Sequence, residues 1–369
     1  MAFLTVHSNR NDPAGAVREL RDGLGAFVPK FLLFFASSAF PTAALGAAFR
    51  EMFGSVPSIG CTTAGEIISG RMLKGSIVLF AMDANELDEV AIAAIDDVHD
   101  RASTMAAMGR LASTLGRQLS DFDPSAHLGL ILQDGLNLAE EQVMEALSTT
   151  TNVPFIGGSA GDDGKFKTTY VFVNSEPKTG AAVLALLKPK KRFHLLKTQS
   201  FDVLPDQLVV TDVDEATRTV RAFNGKPAAE EYARAIGTSV ERLPGRFQSN
   251  PVGLVLPSGD PFVRSPMQLK GTDVVFYCQV KKGMALQLLL ARDIVKDTER
   301  DFSAKCDEMG GCRAAINFHC ILRTLELEQR NQCDAYAKIF ADVPTVGFST
   351  YGEAYIGHMN QTSTIVLFE

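Results

Sequence analysis

One phrase recurs three times in this chain, and the recurrence limits the folds open to it. "VPSIGCTTAGEI" spans 56–67, "VPTVGFSTYGEA" spans 343–354, and a shorter form, "VPFIGGSAGDD", spans 153–163. The first and third copies align at an offset of 287 residues. Val56, Pro57, Gly60, Thr63, Gly65, Glu66, Gly70 and Met72 meet Val343, Pro344, Gly347, Thr350, Gly352, Glu353, Gly357 and Met359, and one extra residue brings "IVLF" at 77–80 onto "IVLF" at 365–368. Self-similarity at this level means a duplicated structural unit.

The flanks repeat as well. "FLLFFAS" begins at Phe31, "LGLILQD" at Leu128 and "AAINFHC" at Ala314; each is a short apolar run, the mark of a buried strand. A helical stretch follows the first two. Leu45, Ala48, Phe49, Met52 and Phe53 fall on one face of a helix, as do Ala139, Val143, Ala146 and Leu147, and Asn137 with Glu140 suggests a capping box. A fainter fourth copy is suggested by "TVRAFN" (219–224), a helix near 227–236 and "NPVGLVL" (250–256).

Within the phrase, Val before Pro is driven to extended geometry and Pro marks a strand entrance. Gly inside the strand permits a bulge or the close approach of another backbone or a ligand. On one view the phrase is a strand-start and turn signature serving folding alone. On the other, one copy serves a ligand.

The expected fold is α/β: two pseudo-repeated halves with mixed sheets and flanking helices, built from strand–helix–strand–strand units. The halves are placed at 1–195 and 196–369, meeting near 190–215. With 36 basic and 43 acidic residues the net charge is −7, which disfavours nucleic acid as a partner of the whole molecule. "KPKKR" (188–192) is the one dense basic run and reads as a solvated turn. The longest apolar run, "FLLFFA", is too short to span a bilayer, and no signal peptide is expected. The six cysteines (61, 278, 306, 312, 320, 333) show no CxxC spacing, so reduced thiols and a cytoplasmic location are expected, with no disulfide.

In order, "IGCTTAGEI", "PFIGGSAGDD", "FNGKPA" (223–228), "NPVGL" (250–254), "INFHCILR" (316–323), "VGFSTYGE" (346–353) and "NQTSTIVLF" (360–368) resemble the FIST family, named for F-box and intracellular signal transduction proteins. The resemblance covers an N-terminal FIST part over about 25–195 and a C-terminal part over about 215–365. It implies a sensory module that binds a small ligand. "GHMNQT" (357–362) is similar to the "HxNQT" of a free-standing branch described as haem-binding nitric-oxide sensors. That likeness implies haem b, with His358 as the iron ligand and a separate signalling protein, such as a histidine kinase or a cyclic-dinucleotide enzyme, as partner. The family's Ser-Cys pair is replaced here by His319-Cys320. A homodimer is allowed; a membrane is not expected as partner.

A b-type haem needs an axial donor in an apolar pocket, and without CxxCH covalent attachment is excluded. His7, His99 and His127 read as surface and His194 as a boundary residue. Asn317 and His319 should share one strand face. His358 takes the place of Arg71 in the first copy, with Tyr355 and Met359 as pocket walls and Asn360, Gln361 and Thr362 orienting the ring. The alternative is an amino-acid or metabolite site made by Thr62, Thr63, Glu66, Ser349, Thr350 and Glu353. A third class is a hydrolase or transferase using Cys61; GxSxG, Walker and HExxH motifs are missing, and no catalysis is expected. Asp162 and Asp163 read as an exposed turn rather than a metal site.

Overall fold

The computed structural model describes residues 3–257 and 259–369. Helix limits follow local chemistry. Asp12 caps the first helix by accepting from Gly15 N, with Pro13 as its first residue, and Gly25 ends it; Asp100 and Gly116 do the same for the third.

The first repeat runs β1 (Phe3–Ser8), α1 (Pro13–Leu24), β2 (Pro29–Ser37), α2 (Thr42–Phe53), β3 (Ser58–Thr63), the hairpin β4 (Glu66–Ile68) and β5 (Arg71–Leu73), and β6 (Ile77–Asp83). The second has the same order: β7 (Leu87–Ile95), α3 (Arg101–Leu115), β8 (Leu128–Gln133), α4 (Glu140–Ser148), β9 (Phe155–Ser159), β10 (Val171–Val173), β11 (Glu176–Lys178) and β12 (Ala182–Pro189). The third opens with β13 (Phe193–Gln199) and is then interrupted. Into it are inserted β14 (Phe201–Asp214), β15 (Thr219–Phe223), β16 (Lys226–Pro227), α5 (Ala228–Ala235), β17 (Val252–Val255), β18 (Pro261–Arg264), β19 (Pro266–Lys270), β20 (Asp273–Phe276) and β21 (Ala285–Ala291). The repeat then resumes with α6 (Ile294–Met309), β22 (Ala314–Cys320), α7 (Ile321–Gln329), α8 (Cys333–Lys338), β23 (Thr345–Thr350), β24 (Glu353–Tyr355), β25 (His358–Met359) and β26 (Thr362–Phe368).

Two compact units result. One runs to Thr198 and adds Thr298–His358 and Ser363–Glu369; the other is Gln199–Asp297 with Met359–Thr362. The first cut falls at 198/199. The second, at 297/298, arises because β22 and β23 belong with the repeats and not with the insert.

The repeated units are therefore mixed α/β units with flanking helices, and the described residues hold three of them. Each makes a parallel pair (β2 with β3, β8 with β9, β22 with β23) and an antiparallel return (β6, β12, β26). Each also gives its hairpin to another repeat's sheet. The sheet orders are β1-β6-β2-β3-β10-β11, β7-β12-β8-β9-β24-β25 and β13-β26-β22-β23-β4-β5. Repeat 2 thus completes repeat 1, repeat 3 completes repeat 2, and repeat 1 completes repeat 3. The phrase recurs because each copy both ends a strand and launches the hairpin that leaves.

Its glycine is set by this packing. A Cβ on Gly157 would lie 1.7 Å from Ile131 O, and one on Gly347 would lie 2.2 Å from Asn317 O. The close approach is by the neighbouring parallel strand. The inner faces of the three sheets share one core that includes Phe35, Ile59, Leu130, Leu132, Ile316, Phe318 and Phe348, with Phe35 and Phe348 rings 4.5 Å apart. Helices cover the outer faces: α1 and α2 on the first sheet, α3 and α4 on the second. On the third sheet the corresponding face is polar, as described below.

Several sequence expectations change. The segments proposed as a fourth copy lie in the inserted unit, where β15 pairs antiparallel with β14 and β20 while β17 pairs with β18 and β21, so they do not form the parallel pair of the repeats. Helix α4 is capped by Ala139 without a side-chain bond, so the Asn137–Glu140 capping box does not form. His127 is buried, its Nδ1 2.9 Å from Asp123 O. Asp162 is also buried, accepting from the backbone of Phe166, Lys167 and Thr168. Among the described residues no disulfide joins the cysteines, and no helix is long and apolar enough to cross a membrane.

Candidate functional site

The three phrases end against one another. Ala64 N donates to Ser349 O (3.1 Å) and Ser349 N to Gly65 O (2.8 Å); Tyr351 N donates to Ser159 O (3.1 Å) and Ser159 N to Gly352 O (2.9 Å); Gly161 N donates to Thr62 O (2.9 Å). These hand-overs lie at the carboxyl ends of the parallel strands, where open α/β sheets place ligand sites.

Most residues of the sequence-derived metabolite site serve this junction. Thr62, Thr63, Glu66, Ser349, Thr350 and Glu353 are all at most 1% exposed. Thr62 Oγ1 accepts from Tyr170 N (3.0 Å), and Thr350 Oγ1 donates to Gly352 O (2.7 Å) or Ser159 O (2.9 Å). Glu66 bonds Thr63 Oγ1 and accepts from Ser76 N (3.0 Å) and Ser76 Oγ (2.6 Å). Burial lifts its carboxyl to about 7, against the opposing pull of the Ser76 and Thr63 bonds. Cys61 is wholly buried in the central core, and its thiol is pushed well up by burial and then by Glu66.

Ser349 is different, because it faces space. A cavity of about 290 Å³ is lined by Gly65, Met72, Leu73 and Lys74 of the first repeat's hairpin region, by Thr324 and Glu328 of α7, by Cys333 and by Ser349. Ser349 Oγ and Thr324 Oγ1 are 2.7 Å apart, and Lys74 Nζ lies 2.6 Å from Glu328 Oε1. A second hollow of about 320 Å³ shares Glu328 and Cys333. The Cys333 thiol is pushed up by burial and then by Glu328.

Behind Ser349 the outer face of the third sheet is polar and buried. His319 is the register partner of Ser349; it is fully buried and neither ring nitrogen has a hydrogen-bond partner. Burial, then the charge of Arg323, pushes its imidazole well below the ordinary range, so the ring is neutral. Arg323, 2% exposed, donates to Thr298 Oγ1 (2.7 Å) and Thr198 O (3.4 Å) and leaves Nε without a partner. Asn317, on the same face as expected, donates to Tyr336 Oη (3.0 Å).

The registers equate Ala36, Gln133 and His319, the sixth residues of the three apolar runs, each beside a phrase hydroxyl: Thr62, Ser159 or Ser349. That alignment was the available signal for Gln133. Nothing in the sequence marked Lys74, Thr324, Glu328, Cys333 or Arg323.

His358 lies at a different hand-over. It is 2% exposed, its Nδ1 is 2.9 Å from Glu141 Oε1, and a Cβ on Gly352 would fall 1.9 Å from its Nε2. Of the expected orienting residues, Gln361 is engaged elsewhere, bonding Ser265 Oγ (2.7 Å) and Gln248 O (2.9 Å), whereas the buried Asn360 amide has a partner at neither of its polar atoms. Met359 and Asn360 group with the inserted unit, and Tyr355 is only partly buried.

An axial imidazole needs an unhindered nitrogen beside a flat apolar slot. The backbone of Gly352 covers Nε2 of His358, and Nδ1 faces the Glu141 carboxylate rather than a flat apolar slot. His319 packs against the Tyr336 ring at 4.5 Å and lines neither hollow. In this conformation the residues do not fit haem at either histidine.

Comparison with known proteins gives the family. Residues 30–226 match the FIST N domain and residues 228–355 match the FIST C domain. A curated relative, "Uncharacterized protein MJ1623" of Methanocaldococcus jannaschii, is 24% identical over 187 residues, covering 47% of this chain and 34% of the relative. The match thus spans about a third of that protein's length. FIST domains are associated with signal transduction and small-ligand sensing. With both domain models matched in order over 30–355, this chain belongs to the FIST family.

Proposed function

We propose that this chain is a cytoplasmic small-ligand sensor that acts in trans on a separate signalling protein, and that its ligand is a small zwitterion of amino-acid type. The observation that carries this is the cavity at Ser349. Its volume sits at the small end of the range for ligand pockets, roughly 300–1,000 Å³. Lys74 and Glu328 offer one charge of each sign to a carboxylate and an ammonium, while Ser349 and Thr324 offer hydroxyls to the ligand's remaining polar atoms. His319 and Arg323 supply a polar backing. The walls come from repeats 1 and 3, so a ligand that joins them changes how β4–β5 and α7–α8 pack, and a partner senses that change at the surface.

The test is a thermal-shift and calorimetric screen of the common amino acids, with Lys74→Ala and Ser349→Ala as variants. A ligand at a hundred times its Kd should add about 2.7 kcal/mol of stability, and both variants should lose most of the effect. The rival is a haem-based nitric-oxide sensor with His358 on iron, and the same preparation tests it by absorption. If no amino acid shifts the unfolding, and added haem gives a Soret band that moves in His358→Ala, the zwitterion reading is wrong and haem takes its place.

A further inference from the structure

The hand-over from repeat 3 to repeat 2 carries chemistry that the zwitterion site does not use. Helix α4 begins with two adjacent glutamates, Glu140 and Glu141, and the arriving strand β25 begins with His358. One carboxylate oxygen from each glutamate and one ring nitrogen of His358 lie within 4.8 Å of one another. Glu140 is 4% exposed and His358 2%. The atoms come from positions 217 residues apart in sequence, so the topology brings them together.

A second observation points to the same place. Gln133 is 1% exposed, and neither its Oε1 nor its Nε2 has a hydrogen-bond partner. It pairs in parallel register with Ser159, so both side chains stand on the same sheet face. Ser159 Oγ in turn donates to Glu140 Oε1 (3.3 Å). A buried amide without partners is costly, and this one stands beside Ser159, the residue that bonds Glu140 of the cluster.

We infer that Glu140, Glu141 and His358 form a binding site for a divalent transition-metal ion, with the Gln133 amide beside it. Two carboxylates match the charge of such an ion, and the imidazole selects the zinc and iron class over magnesium and calcium. Zinc sits about 2.0–2.2 Å from carboxylate oxygen and imidazole nitrogen. Two ligands of one ion are then about 3 Å apart, close to the 2.9 Å between His358 Nδ1 and Glu141 Oε1. The remaining contraction falls within side-chain rotation. Binding displaces whatever proton His358 and Glu141 share, since imidazole must be neutral and carboxylate ionised to ligate. The ion ties the C-terminal hairpin to α4.

The experiment uses the full chain, stripped with chelator and titrated with zinc against a chromophoric competitor, and separately with cobalt by visible absorption. One zinc ion per chain is expected. Glu141→Gln, at a half-buried position that tolerates the change, and His358→Asn should each weaken binding at least ten-fold, while exposed His99→Ala should leave it unchanged. Circular dichroism checks that each variant is folded; if His358→Asn is not, Glu141→Gln carries the test alone. The inference is overturned by failure of the wild type to bind zinc at micromolar concentration, by unchanged affinity in folded Glu141→Gln, or by a cobalt-thiolate charge-transfer band showing cysteine ligation.

Discussion

Glu66→Gln should stabilise this protein at alkaline pH and leave it nearly unchanged near pH 5. Glu66 is 1% exposed, and burial raises its carboxyl from an ordinary 4.5 to about 7. Between those values the folded chain holds a proton that the unfolded chain has released. Stability therefore falls as pH rises through the window and is fully present only below it. A gap of about 2.5 pH units at 1.36 kcal/mol each amounts to about 3 kcal/mol lost by pH 8. Glutamine escapes this loss and keeps the geometry: its carbonyl accepts from Ser76, and its amide can donate to Thr63 Oγ1, whose own proton goes to Ala36 O at 3.3 Å. The chain has no tryptophan, so urea unfolding followed by circular dichroism at pH 5 and pH 8 is the assay. The variant should gain about 3 kcal/mol over wild type at pH 8 and less than about 1 kcal/mol at pH 5. A difference independent of pH, or a variant weaker at both, would refute the assignment of a neutral buried acid.

Gly347→Ala puts a methyl 2.2 Å from Asn317 O and should cost about 1–3 kcal/mol or more, whereas Gly357→Ala, with nothing within 4 Å, should be near neutral; equal unfolding midpoints for the two would remove the close-approach account of the phrase glycine. Thiol titration in denaturant without reductant should count six; a count of four would point to Cys306 and Cys312, whose side chains are hydrogen-bonded to each other.

Local features were legible in the sequence and long-range destinations were not. The phrase, its flanking strands and its return strand could be read because each depends on residues close in the chain. The hairpin's destination could not. Ile67 pairs with Gly347, and nothing in "EIISGRML" names a partner that far away. The interruption of the third repeat was hidden for a related reason: β13 reads as the end of the N-terminal half until β26 is seen beside it. The site divides in the same way. Ser349 stood in a repeated motif, and His358 stood out because Arg71 replaces it in the first copy. Glu141, Lys74 and Glu328 are ordinary surface-type residues, recruited by packing between repeats. Asn317 and His319 were assigned to one face by strand alternation alone. That the face is buried under helices, and its polar atoms are partly unmet, required the third dimension.

The circular exchange of hairpins also bears on how the chain is made. The β4–β5 hairpin is synthesised 280 residues before the Gly347 strand it pairs with. At ribosomal speeds of about 5–20 residues per second, it waits roughly 14–56 s for that partner. Throughout that interval it presents unpaired backbone edges and apolar side chains such as Ile67 and Ile68, the pattern that invites wrong pairing between nascent chains. The last few dozen residues then close the ring in a single event. A ribosome-stalled chain lacking β23 and β26 should therefore remain protease-sensitive throughout its first repeat, and lean on chaperones in a way the released chain does not.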